Sequence, residues 1–146
     1  MAEALLRARG QERVEAQSAG VNPAQDIHPR ALQVLAERGI PVVGQRSKPT
    51  DEVLGLGWTV VITMCDQARE CCPVLPGATL AVHWGMDDPA VAANGEQAFA
   101  DAFEVLSRRV DALLALPLNT LMPNDLLEEL EEIGGPRLST EADTAA

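Results

Sequence analysis

The segment "WTVVITM" (residues 58–64) constrains this chain more than any other. It is nearly continuous in apolar and β-branched residues, without the polar alternation of a strand that faces water on one side. Such a run suits a strand covered on both faces, as in a parallel sheet. It also dictates what must surround it. Parallel strands need crossover connections, and helices supply them.

The rest of the sequence offers those helices. "AEALLRAR" (2–9) is made of strong helix formers, with Gly10 as the expected stop. "RVEAQSAG" (13–20) reads as a short strand ending in a small-residue turn. "HPRALQVLAERGIP" (28–41) predicts a helix with Pro29 in its first turn and Gly39 after its last. Leu32, Leu35 and Ala36 are its expected apolar face. "SKPTDEVL" (47–54) suggests a short helix capped by Thr50. "TLAVHWGM" (79–86) predicts a further strand, and "DDPA" a turn. Residues 95–116 predict a long amphipathic helix with Phe99, Ala102, Phe103, Leu106, Val110 and Leu113 on one stripe. "PNDLLEELEEIGG" (123–135) predicts a last helix ending at Gly134, its acidic face solvated. Strands alternating with helices imply an α/β fold with a mostly parallel sheet. A single domain over 1–135 is expected, with the polar, small-residue stretch 136–146 a disordered tail.

Composition narrows the function classes. Eleven basic residues stand against 22 acidic ones in 146, a formal net charge of −11. That argues against nonspecific binding to nucleic acid or an anionic membrane. An anionic substrate would need a locally built site. No apolar run approaches the ~20 residues of a membrane span. The N-terminal residues lack the pattern of a signal peptide. A reducing cytoplasm is the expected compartment, where clustered thiols suggest redox chemistry or metal binding rather than structural disulfides.

The thiols are indeed clustered. Cys65, Cys71 and Cys72 are the only cysteines, all in "VITMCDQARECCPVLPG". Cys65 falls at the carboxyl end of the predicted strand 58–64, where sites gather in α/β sheets. "DQARE" then reads as helical, with Asp66 at the positive helix terminus. Cys72 lies seven residues beyond Cys65, about two helical turns or ~10.5 Å of rise. A disulfide requires Cα atoms within roughly 7 Å. A Cys65–Cys72 bond therefore requires residues 66–71 to unwind, and oxidation would act as a conformational switch. Pro73 limits helix continuation. Other readings stay open: cysteines as small buried hydrophobes, a zinc site from Cys65, Cys71, Cys72 and His83, or a strained Cys71–Cys72 bond. Asp88, before Pro89, is either a turn residue or an acid. One His on a short strand is more often structural, so His83 is assigned no chemistry. Trp84 is read as packing.

"VITMCDQARECCPVLPGATLAVHWGMDDPA" resembles the thioredoxin-coupled arsenate reductases built on the low-molecular-weight protein tyrosine phosphatase fold. The likeness extends through "MAEALLR", "QSAG", "HPRALQVLAERGI", "GQRSK" and the C-terminal "LPLNTLMPNDLLEELEEIGG". Cys-x6-Cys-Pro followed by His-Trp-Gly-x-x-Asp-Pro carries it. The resemblance implies a three-layer, doubly wound parallel sheet and reduction of arsenate to arsenite by a three-thiol relay. Cys65 matches the second thiol, Cys72 the third, and Asp88 the general acid. Thioredoxin or a similar dithiol is the implied reductant, and neither cofactor nor resident metal is implied. Ser18 and Gly20 in "QSAG" resemble the family's segment packed near the oxyanion loop; Glu3 and Ser18 are candidates for supporting that site, with a surface helix charge the equal alternative for Glu3.

The family's nucleophile begins a Cys-x5-Arg loop. Here Cys65, Cys71 and Cys72 are followed six positions on by Cys71, Gly77 and Ala78. The expectation is a chain that starts downstream of the family's first strand and loop. Two alternatives follow: a phosphatase-like hydrolase using Asp88, or a non-catalytic remnant whose thiols bind arsenite or respond to redox state.

Overall fold

The computed structural model describes residues 1–53, 55–71 and 80–135. The chain runs α1 (Ala2–Gly10), α2 (Pro29–Glu37), β1 (Val60–Thr63), α3 (Asp66–Cys71), β2 (Leu80–His83), α4 (Gly95–Ala115) and α5 (Pro123–Gly134). Short 3₁₀ turns lie at Gln11–Arg13, Thr50–Glu52 and Pro89–Val91. No described helix is long and apolar enough to cross a membrane.

β1 and β2 pair in parallel, with Val60 opposite Leu80 and Thr63 opposite His83. This is the α/β arrangement expected. The ladder runs on past the strands: Trp84 N–H donates to Thr63 O at 2.8 Å and Met86 N–H to Met64 O at 3.1 Å. Parallel strands send both carboxyl ends to one edge of the sheet, so the segments after Thr63 and after His83 emerge side by side. All four β1 residues are half-buried rather than fully covered. Among the described residues β1 has one ladder partner.

The helices supply most of the core. α4 presents Phe99, Ala102, Phe103, Leu106, Val110 and Leu113, all buried, which is the predicted stripe. Each large side chain there contributes about 1.5–3 kcal/mol by leaving water. α4 packs against α1, α2 and α5, and α5 packs against β2.

Four sequence expectations are corrected. α2 buries Ala31, Val34 and Leu35, while Leu32 and Ala36 face solvent. Leu35 is common to both sets, and the helix is rotated about one residue from the predicted face. α1 includes Gly10, and the residue with left-handed backbone is Gln11, at φ 48°. Thr50 lies inside a 3₁₀ turn that follows Pro49 and makes no side-chain cap. Residues 14–19 form no ladder, and at the segment's end Gly20 bridges Pro49. Val14 is nonetheless extended (φ −136°, ψ 143°). The reason lies in α1, whose side chains take up the backbone groups of this segment. Arg7 Nε donates to Ala16 O at 3.1 Å, and Ser18 N–H donates to Glu3 Oε2 at 2.9 Å.

Glu3 is thus a buried carboxylate with a structural duty. It also accepts a short hydrogen bond from the Ser18 hydroxyl. Lys48 Nζ, itself buried, lies 3.9 Å from Oε2. Arg7 Nη2 lies 3.0 Å from Oε1 but without hydrogen-bond alignment. Removing one member of a buried pair strands the other, at a cost of about 3–5 kcal/mol. Glu3→Ala should therefore lower the urea-unfolding free energy by about 3 kcal/mol, and a Glu3→Leu/Lys48→Met pair should recover part of it. A loss under about 1 kcal/mol for Glu3→Ala would contradict this.

A second buried charge closes the other side of the core. Arg109, on α4, donates from Nη1 to Trp84 O at 3.0 Å and from Nη2 to Gly134 O at 2.8 Å. Its guanidinium sits over the Trp84 ring, 5.9 Å from the centroid. Burial pulls its pKa below the ordinary arginine value, yet a guanidinium keeps its charge in a protein. Trp84 Nε1 donates to Leu130 O at 2.8 Å. α5 approaches so closely that a Cβ on Gly134 would overlap Trp84 Cδ1 and sit 3.2 Å from His83 O. Gly134→Ala should cost about 1–3 kcal/mol, read as a lower thermal midpoint.

Candidate functional site

The site is the edge of the sheet where β1 and β2 end. Thr63 closes β1, Met64 follows, and Cys65 is exposed. The chain turns at once into α3. Cys65 O accepts from Arg69 N–H at 3.0 Å, and Cys65 Sγ accepts from Ala68 N–H at 3.3 Å. The thiol thus caps the first turn of α3 while remaining open to solvent.

On the neighbouring strand His83 stands opposite Thr63. Its Nδ1 is 2.8 Å from Thr63 Oγ1, and its Nε2 is 3.3 Å from Asp66 Oδ1. The imidazole bridges the end of β1 to the first residue of α3. Sequence reasoning gave His83 no such contact. The only available signal was the pairing register, which two strands separated by a long connection do not reveal.

Asp88 lies five residues beyond β2 and is exposed. Its Oδ1 accepts from Ala90 N–H at 2.9 Å and caps the turn Pro89–Val91. This geometry agrees with the turn reading of the residue, and the side chain is exposed. Cys72 and the tail 136–146 lie outside the described residues. So do Pro73 and the stretch up to Thr79. Among the described residues no cluster of three or more His, Cys, Asp or Glu is placed to hold a metal.

Glu3 and Ser18 are brought together as described above. Glu3 is not the surface helix charge that its sequence position allowed. A groove of about 520 Å³ opens elsewhere, between α2 and the start of α4, lined by Arg30, Gln33, Glu37, Asn94 and Glu96 among others. Neither Cys65 nor Asp88 lines it.

Asp88→Asn separates the two readings of that residue. An amide oxygen caps nearly as well as a carboxylate. Unfolding free energy should change by less than about 0.5 kcal/mol, whereas Asp88→Ala should lose about 1 kcal/mol. Equal losses for both variants would contradict the capping role.

The sequence matches the family described as "Low molecular weight phosphotyrosine protein phosphatase" over residues 1–126. It is 36% identical over 80 residues to an arsenate reductase of Halalkalibacterium halodurans, covering 55% of this chain and 57% of that one. It is 35% identical over 80 residues to an arsenate reductase of Bacillus subtilis, with the same coverage. "Arsenate reductase 2" of Staphylococcus epidermidis is 34% identical over 67 residues, 46% of this chain and 51% of that one. The matched segment thus spans little more than half the length of these relatives. Among solved structures, "An arsenate reductase in reduced state" superposes with a TM-score of 0.60 at 25% identity, covering 78% of this chain and 85% of that one.

Proposed function

The chain belongs to the low molecular weight phosphotyrosine protein phosphatase family, and from that premise we propose that it serves in the reduction of arsenate to arsenite. Its 1–135 domain carries the shuttle part of a thiol relay. Cys65 and Cys72 are the shuttle thiols, Asp88 is the general acid, and thioredoxin or a similar dithiol is the reductant. The observation that carries this reading is the position of Cys65: an exposed thiol at the carboxyl end of β1, capping a helix of only six residues. A family member acting by phosphate-ester hydrolysis has no need of a second thiol there.

The redox balance is simple. Joining two thiols as a disulfide releases two protons and two electrons. Arsenate takes up two electrons on becoming arsenite, and one of its oxygens leaves as water. Asp88 protonates that departing oxygen. A dithiol then returns two electrons by thiol–disulfide exchange, and the shuttle pair is reset. The first attack on arsenate calls for a Cys-x5-Arg loop, which none of the three cysteines here begins. The backbone N–H groups of such a loop bind the oxyanion.

α3 supports the switch expected from spacing. Its six residues, Asp66–Cys71, stand between the two shuttle thiols. At 1.5 Å per residue a helix of this length is about 9 Å long, whereas a disulfide needs Cα atoms within roughly 7 Å. The bond forms only when α3 unwinds. A helix this short has little intrinsic stability, so unwinding is cheap.

Oxidation of the reduced chain with one equivalent of diamide should give a single Cys65–Cys72 disulfide with Cys71 still alkylatable, and far-UV CD should lose helical signal. Peptide mapping that finds Cys71–Cys72 instead, or an unchanged CD spectrum, would overturn the relay. The phosphatase reading is kept in view by the family's own activity. It is separated by serine at Cys65 and Cys72 in the protein purified from its own cells. Hydrolysis of a phosphoester would survive both substitutions, and arsenate turnover would fall at least a hundredfold.

A further inference from the structure

We propose that His83 is a positioning residue, a clasp that fastens the cysteine helix α3 to the end of β2 through Asp66 and so sets how readily Cys65 leaves its capped position. The proposal rests on the relay reading for its purpose but not for its geometry.

The clasp is built from three residues on three elements. Thr63 ends β1, His83 ends β2, and Asp66 begins α3. Thr63 and His83 are ladder partners, so strand register sets their spacing. Thr63 Oγ1 lies 2.8 Å from His83 Nδ1 and donates to Val82 O at 3.5 Å. On the other side of the ring Nε2 faces Asp66 Oδ1 at 3.3 Å. The imidazole thus touches the end of β1 with one nitrogen and the start of α3 with the other.

The ring has little freedom to leave. Its neighbour Gly85 leaves just enough room, since a Cβ there would sit 2.6 Å from His83 Nε2 and 3.2 Å from Cδ2. His83 is 19% exposed at the side chain, whereas Asp66 is 55% exposed. The fixed partner is thus the histidine and the releasable one is the helix.

α3 needs such a clasp. Isolated helices shorter than about 12 residues are marginal in water. α3 has six residues, and two of its bonds, Ala68 N–H to Cys65 Sγ and Arg69 N–H to Cys65 O, end on Cys65 itself. Those bonds are lost when Cys65 moves. The Asp66–His83 contact ties the helix to β2 from outside the thiol segment. Breaking it lowers the barrier to unwinding, and restoring it returns the thiol to its cap.

The test is hydrogen exchange of the amides of residues 66–71 in the reduced full chain, compared across His83→Ala, His83→Gln, Asp66→Ala, the His83→Ala/Asp66→Ala double variant and Gly85→Ala. A partly exposed pair is worth a few tenths to 1 kcal/mol, about a two- to fivefold change in opening. His83→Ala and Asp66→Ala should each speed exchange by that factor. The double variant should be no faster than the faster of the two single ones, because both break the Asp66–His83 contact. Gln at 83 retains a donor and should restore at least half of the protection. Gly85→Ala, which removes neither partner, should speed exchange by displacing the ring. Exchange in α4 and the thermal midpoint report folding and should stay near the parent's values. Unchanged exchange in His83→Ala, or fully additive effects in the double variant, would overturn the clasp. If His83→Ala fails to fold, Asp66→Ala and Gly85→Ala decide alone.

The diamide rate of Cys65–Cys72 bond formation, followed on the same proteins, should rise with the exchange rate. If exchange responds as stated but no Cys65–Cys72 bond forms, the relay reading fails and the clasp stands. If the bond forms in the parent but exchange ignores His83, the clasp fails and the relay stands.

Discussion

Arg109 fixes the frame on which the site is built. From the middle of α4 its guanidinium holds the carbonyl of Trp84, just past β2, and the carbonyl of Gly134, at the end of α5. Those carbonyls carry partial negative charge, and in a buried setting the cation is well used there. The Trp84 ring lies under the same cation and ties itself to Leu130. One side chain therefore sets the depth and angle of the end of β2. His83 is the residue before Trp84, so the position of the imidazole follows from this frame.

The other half of the site follows from the ladder. Thr63 and His83 are held opposite each other, and Met86 N–H reaches Met64 O beyond them. The two emerging segments are thus bound together for several residues past the strands. Cys65 stands on one and Asp88 on the other. The edge is rigid on the β2 side, where Trp84 and Met86 are buried, and open on the β1 side, where Cys65 and Asp66 are exposed. A thiol that must change partners belongs on the open side.

Much of this was legible in the sequence. The β-branched run at 58–64 announced a parallel strand, and the apolar stripe from Phe99 to Leu113 announced α4. Both are local patterns whose period alone carries the information. What was not legible depended on partners far along the chain. Glu3 looks like a surface charge until Lys48 and Ser18 come to it. Residues 14–19 have strand-like composition, but Arg7 and Glu3 take their backbone groups. The α2 face is misread by one residue because Leu32 and Val34 are equally apolar, and only the packing against α4 chooses between them. His83 gained its meaning from a register that no spacing along the chain encodes. Cys65 was singled out from position and residue type, and Asp88 was read as either a turn residue or an acid. The cap is visible in the structure, and the acid role belongs to the proposed reaction.

The central claim is that Cys65 and Cys72 form a disulfide that a dithiol reductant opens. It is tested most directly by trapping. The oxidised chain would be mixed with a thioredoxin whose second active-site cysteine is replaced by serine, so that exchange stops at the mixed disulfide. The account predicts a covalent one-to-one complex through Cys65 or Cys72, formed only after oxidation and lost when either residue is serine. An absence of complex with the oxidised chain, or a complex carried by Cys71, would contradict it.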